Sequence, residues 1–100
     1  MELVLIGGQY KRIAAFIETH LFIDLEVKIT KVKQPRIYLE VTTQEEFEVV
    51  QRKIKHTIMK DLILSRAFFE IYPIFEGKVD FASYLSPERK KKLAYYKEEV

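Results

Sequence analysis

The sequence predicts an α+β domain of the ferredoxin-like split β-α-β type. The expected order is βαββαβ, an antiparallel sheet with its helices on one face, followed by a C-terminal helix. Three observations predict it. The apolar residues change period along the chain in the order strand, helix, strand, strand, helix, strand, helix. Turn and cap residues fall between the periodic runs. And 100 residues with 48% hydrophobic and 13% aromatic side chains supply one core and not two. Residues 1–78 are expected to form the core domain and 79–100 a helical appendage packing on it or on a partner.

Met1 to Ile6, "MELVLI", reads as a buried strand that ends at Gly7-Gly8. Those two glycines allow a tight reversal and positive φ. From Gln9 the apolar residues Ile13, Phe16, Ile17, His20 and Leu21 follow a helical period. Leu25, Val27 and Ile29 alternate with Glu26, Lys28 and Thr30, as do Ile37, Leu39 and Val41 with their neighbours, and "KVKQPR" between them predicts a hairpin turn. Thr43 and Glu46 match a capping box. The helix they open would carry Phe47, Val50, Ile54, Ile58 and Leu62 on one face and Glu48, Arg52, Lys53, Lys55 and Lys60 on the other. Phe68 to Gly77, "FFEIYPIFEG", predicts a fourth strand that Pro73 places at an edge or breaks. Ser86-Pro87 is an N-cap with Pro at the first helical position, so a last helix is expected from about Pro87.

Several classes of chemistry are excluded at this level. With no cysteine there is no disulfide, thiolate catalysis or cysteine-ligated zinc. No apolar run approaches the ~18 residues of a membrane span, and Leu3 to Ile6 is too short for a signal-peptide core. The chain is therefore expected in the cytoplasm, its own or a host's. Few glycines, no Asn and abundant Lys, Glu and Ile resemble the composition of a hyperthermophile protein. His20 and His56 lie in different helices without a cysteine partner. His20, at a helix end, reads as a satisfied histidine, and with Asp24 it supplies two ligands, which do not make a metal site. Glu45, Glu46 and Glu48 sit where a helix dipole favours carboxylates. No catalytic set emerges, and neither an enzyme nor a cofactor is expected.

Three stretches carry binding potential. In "LIGGQYKRIAAFI" the double glycine precedes a helix start with Lys11 and Arg12 in its first turn, an arrangement that can hold phosphate. Neither a P-loop nor a dinucleotide fingerprint is present. The stretch from Ile6 to Ile29 resembles the core of a KH-type RNA-binding domain over about a quarter of the chain. Gly7 matches that family's first glycine, and three residues after Gly8, where the second glycine of the GxxG loop would stand, the chain has Lys11. The resemblance implies contact with nucleotide backbone. On the outward face of the hairpin, Arg36, Tyr38 and Glu40 lie beside Glu26, Lys28 and Thr30, a layout similar to RRM domains, whose sheet aromatics stack bases. Both RRM signatures are missing, and a solvated or covered face is the plain structural alternative. Finally, Arg89, Lys90, Lys91 and Lys92 are the densest basic run, readable as a phosphate stripe or as a solvated helix face.

The expectation that collects these readings is a small non-enzymatic nucleic-acid-binding protein, for RNA or DNA. Its phosphate contacts would be Lys11, Arg12, Arg36, Arg52, Lys53, Lys55 and Arg89 to Lys92, with Tyr38 as stacking residue. The alternative is a protein-interaction module of a hyperthermophile or its virus, most simply a homodimer, burying the sheet face, the fourth strand's edge or the aromatic tail.

Overall fold

The structure, a computed structural model, describes residues 1–20, 22 and 24–81 and the backbone at 98–99. In chain order it contains β1 (Glu2–Gly7), α1 (Tyr10–Thr19), β2 (Glu26–Lys33), β3 (Arg36–Thr42), α2 (Phe47–Met59), a 3-10 turn (Leu64–Arg66), β4 (Phe69–Phe75), β5 (Lys78–Val79) and β6 (Glu98–Glu99). Every strand pair is antiparallel, in the order β2-β3-β1-β4-β5-β6. Among the described residues the chain is α+β, with an antiparallel sheet and two α-helices. Its element order departs from the expected βαββαβ, because β4 turns back at once into a fifth strand. Glu76 and Gly77 both have positive φ, 52° and 76°. Two such residues make the tight turn that joins hairpin strands, here with Phe75 opposite Lys78. The helix expected from about Pro87 lies outside the described residues, and at Glu98–Glu99 the backbone is extended against β5.

Local chemistry explains other departures. Gly7 and Gly8 do not use positive φ. Gly7 instead admits close packing: a Cβ there would lie 2.7 Å from the Cβ of Phe69 and 2.8 Å from the carbonyl oxygen of Phe68. Thr43 does not cap α2. Its Oγ1 accepts from the N–H of Glu45 at 3.1 Å, which holds a turn ahead of the helix, and the N-cap is Glu46 with no side-chain capping bond. Leu62 does not join the helix face, because α2 stops at Met59. The Asp61 carboxylate then accepts from the N–H groups of Ile63 and Leu64 at 2.9 and 3.0 Å, which starts the 3-10 turn. Pro73 neither breaks β4 nor marks the sheet's edge. Its carbonyl accepts from the N–H of Asp80 at 2.9 Å, so its backbone faces the β5 side and the β1 ladder needs no donor from it. A bulge between Ile29 and Lys31 puts Lys31, not Thr30, opposite Tyr38.

Both helices cover one face of the sheet. Leu3, Leu5, Ile37, Leu39, Val41 and Ile71 meet Ile13 and Ile17 of α1 and Val50, Ile54 and Ile58 of α2 in one core. Ile54 and Ile58 are wholly buried, and cutting either to Ala would cost about 2–5 kcal/mol. The other face carries a second, smaller cluster of Val4, Tyr38, Ile74 and Val79, with Ile6, Tyr72 and Phe81 against it. The rings of Tyr72 and Phe81 meet edge to face at 4.9 Å. These contacts remove from water the aromatic that would otherwise stand on an open sheet.

Candidate functional site

The strand directions sort the charges. β1 and β2 both run antiparallel to β3, and β4 runs antiparallel to β1. One end of the sheet therefore collects the last residues of β1 and β2 and the first of β3 and β4. The Gly7 N–H donates to the Pro35 carbonyl at 3.1 Å, tying the end of β1 to the β2–β3 turn. α1 starts at this end because it follows β1, and α2 finishes there because it leads into β4. The cations so placed are Lys11 and Arg12 of α1, Lys33 and Arg36 at the β2–β3 turn, and Arg66 of the α2–β4 connection. All are exposed except Arg36, which is half-buried. The opposite end collects Glu2, Asp24, Glu26, Glu40 and Glu76 together with Glu45, Glu46 and Glu48 at the start of α2, with Lys28 opposite Glu40 and Lys78 opposite Phe75 among them. A formal net charge of +2 conceals this segregation.

Carboxylates that reach the basic end are engaged. Asp61 holds the two backbone N–H groups described above. Glu70 receives a hydrogen bond from Lys55 Nζ at 2.9 Å. Between α1 and the β2–β3 turn lies a notch of about 310 Å³ lined by Gly8, Gln9, Tyr10, Lys11, Arg12 and Gln34. Gln9 is the N-cap of α1 and makes no side-chain capping bond, and no acidic residue occupies the first turn. The dipole's positive end and two side-chain cations thus share one concavity without a carboxylate among its lining residues.

Of the residues expected from sequence, Lys11, Arg12 and Arg36 come together at this end. Arg52, Lys53 and Lys55 do not form a common surface with them. Arg52 is exposed on the outer side of α2. Lys53 leans 3.9 Å from Glu45, toward the acidic end, and Lys55 is committed to Glu70 and lies over the Phe69 ring at 5.9 Å. Tyr38 retains 8% of its surface and has the Lys31 ammonium 5.5 Å from its ring centre. Arg89, Lys90, Lys91 and Lys92 lie outside the described residues. Sequence reasoning missed Lys33 and Arg66, which sit at a turn and in a connection where no periodicity points them anywhere. It also missed Phe68, read as part of a strand but 89% exposed just ahead of β4, near Leu62 at 91% and Ile63 at 59%.

A second concavity, about 300 Å³, lies between the end of α1 and α2 and is lined by His20, Phe22, Asp24, Leu25, Lys53, His56, Thr57 and Lys60. His20 caps α1 and stacks on Phe16 at 4.8 Å, with the Phe22 ring edge-on at 5.4 Å, so its ring is held by aromatic packing. Among the described residues no group of three or more potential metal ligands gathers here or elsewhere. On the covered sheet face the Tyr72 hydroxyl is pushed above its ordinary 10.0, chiefly by burial and secondarily by the Glu70 charge. Among the described residues no helix is long and apolar enough to cross a membrane. No family model, curated protein or solved structure matches the chain.

Proposed function

We propose that this chain is a non-enzymatic nucleic-acid-binding protein that holds the sugar-phosphate backbone at the basic end of its sheet. The observation that carries the reading is a notch lined by Lys11 and Arg12, with Lys33 and Arg36 paired at the same end of the sheet and most of the strand-end carboxylates at the opposite end. Phosphate contacts supply most of the sequence-independent affinity of such proteins, and a one-signed patch also orients the approach of a polyanion. The sheet order β2-β3-β1-β4 supports a ferredoxin-like core extended by β5. Within that core, contact through the sheet face in the manner of RRM domains is disfavoured, since Tyr38 and Val4 are buried. The end of the sheet, with the glycine turn that carries the KH resemblance, is the surface left for the backbone.

Charge reversal tests this. Lys11→Glu with Arg12→Glu should reduce the affinity for a generic oligonucleotide at low salt by ten-fold or more, each contact contributing roughly one ionic interaction. Arg52→Glu with Lys53→Glu, on the outer side of α2, should change it little. Equal losses from both pairs would remove the reading. A second reading, a homodimer, is favoured by the exposure of Leu62, Ile63 and Phe68. It requires a sedimentation mass near twice 11.9 kDa.

A further inference from the structure

We propose that the partner is single-stranded nucleic acid, RNA or DNA, and that Phe68 stacks on an unpaired base beside the basic notch. This inference rests on the proposed backbone contact and adds to it a strand class and a base-reading residue.

Three observations converge. Phe68 exposes 89% of its surface, so its ring is open to a ligand. Its backbone lies at the basic end: Gly7 pairs with Phe69, and the Phe68 carbonyl stands 2.8 Å from where a Gly7 Cβ would be. Continuing that register places Phe68 opposite Gly8. It falls on the side of the sheet that bears Arg36, opposite Ile6, and Lys33, opposite Arg36. The strands of Phe68 and Arg36 are two apart, about 10 Å, so one strand of nucleic acid can touch the ring and the guanidinium together.

Gly8 supplies the third observation. Its φ is not in the left-handed region, and a Cβ built on it meets nothing within 4 Å. The fold does not need a glycine there. What a missing side chain does provide is bare backbone in the notch, at the residue that the continued register sets opposite Phe68, where a ligand can approach closely. Each nucleobase has a flat apolar face, and stacking on an aromatic beside cations is how single strands are held with little sequence preference. A duplex keeps its bases stacked inside and offers Phe68 only its backbone.

The chain contains no Trp, so Phe68→Trp installs a single indole whose emission reports this position alone. Oligouridine or oligothymidine should quench it, while an abasic strand of the same length should bind more weakly and leave it bright. Phe68→Leu, which keeps apolar surface without a ring, should weaken oligouridine binding about ten-fold and leave binding of the abasic strand unchanged. An indole unmoved by a strand that still binds, in a manner sensitive to Lys11→Glu and Arg12→Glu, overturns the stacking site and leaves the backbone reading standing. No binding by the unaltered protein at low salt overturns both. Equal quenching by duplex and single strand overturns the strand class. A dimer in sedimentation that Phe68→Leu converts to monomer assigns the patch to a second copy of the chain and likewise overturns the proposal.

Discussion

A methyl group added at Gly7 would sit 2.7 Å from the Phe69 Cβ and 2.8 Å from a backbone oxygen, whereas one added at Gly8 meets nothing within 4 Å. Adjacent and identical in sequence, the two glycines should separate in a stability measurement. Gly7→Ala should lower unfolding free energy by about 1–3 kcal/mol, the usual penalty of overpacking where backbone cannot move aside. Gly8→Ala should stay within about 0.5 kcal/mol of the parent. Denaturant midpoints for the two variants decide this, and equal losses would count against the close β1–β4 approach. Tyr72 offers a residue-scale test by pH. Its hydroxyl titrates above its ordinary 10.0 in the folded chain, so the folded state favours the protonated form. That stability is complete below pH 10 and is lost as pH rises toward the folded value, because the unfolded chain releases the proton first. Above pH 10 the thermal midpoint of the parent should fall more steeply than that of Tyr72→Phe, and parallel curves would contradict the burial of that side chain.

The helices and the long strands are legible in the sequence because burial of one face imposes a period. Ile13 and Ile17 in α1, Val50, Ile54 and Ile58 in α2, and Ile37, Leu39 and Val41 in β3 all fall where that period puts them, and all are buried. Boundaries are less legible, because they depend on single hydrogen bonds. Thr43 has the chemistry of an N-cap, and its hydroxyl accepts an N–H two residues on instead, so α2 begins later than the Thr-Gln-Glu-Glu pattern implies. Two-residue β5 has no period at all. Its only local sign is Glu76-Gly77, which must place a non-glycine residue at φ 52°. A glutamate there is strained by roughly 1 kcal/mol, and asparagine tolerates that region better. Glu76→Asn should therefore raise the unfolding midpoint, by up to that amount in free energy. A lowered midpoint would mean that the turn is not of the type that needs two positive φ angles.

At the scale of the molecule, charge is sorted by topology and not by sequence. Lys11, Lys33 and Arg66 are far apart in the chain, and no run or composition joins them. Antiparallel pairing brings the ends of β1 and β2 beside the beginnings of β3 and β4, and only then do these cations share one end. The sequence directed attention instead to the contiguous basic residues of α2. Helix geometry spreads these around the axis, and the structure commits two of them to Glu45 and Glu70. Arg36 and the pair Lys11 and Arg12 were legible because a turn and a helix start have local signatures. Phe68 was not, because an aromatic beside a strand ordinarily belongs to the core. A basic end facing an acidic one also gives the molecule a direction in the field of a polyanion, so its association should slow as salt screens that field.

The most direct test is the salt dependence of oligouridine binding, compared between the parent and a variant with Lys11, Arg12, Lys33 and Arg36 all changed to Ala. If these side chains contact phosphates, log K for the parent falls linearly with log salt, and the variant's slope is shallower by about 3, roughly 0.7 for each cation removed. Parallel slopes, or a parent whose binding does not respond to salt, would show that the basic end of the sheet does not hold the backbone.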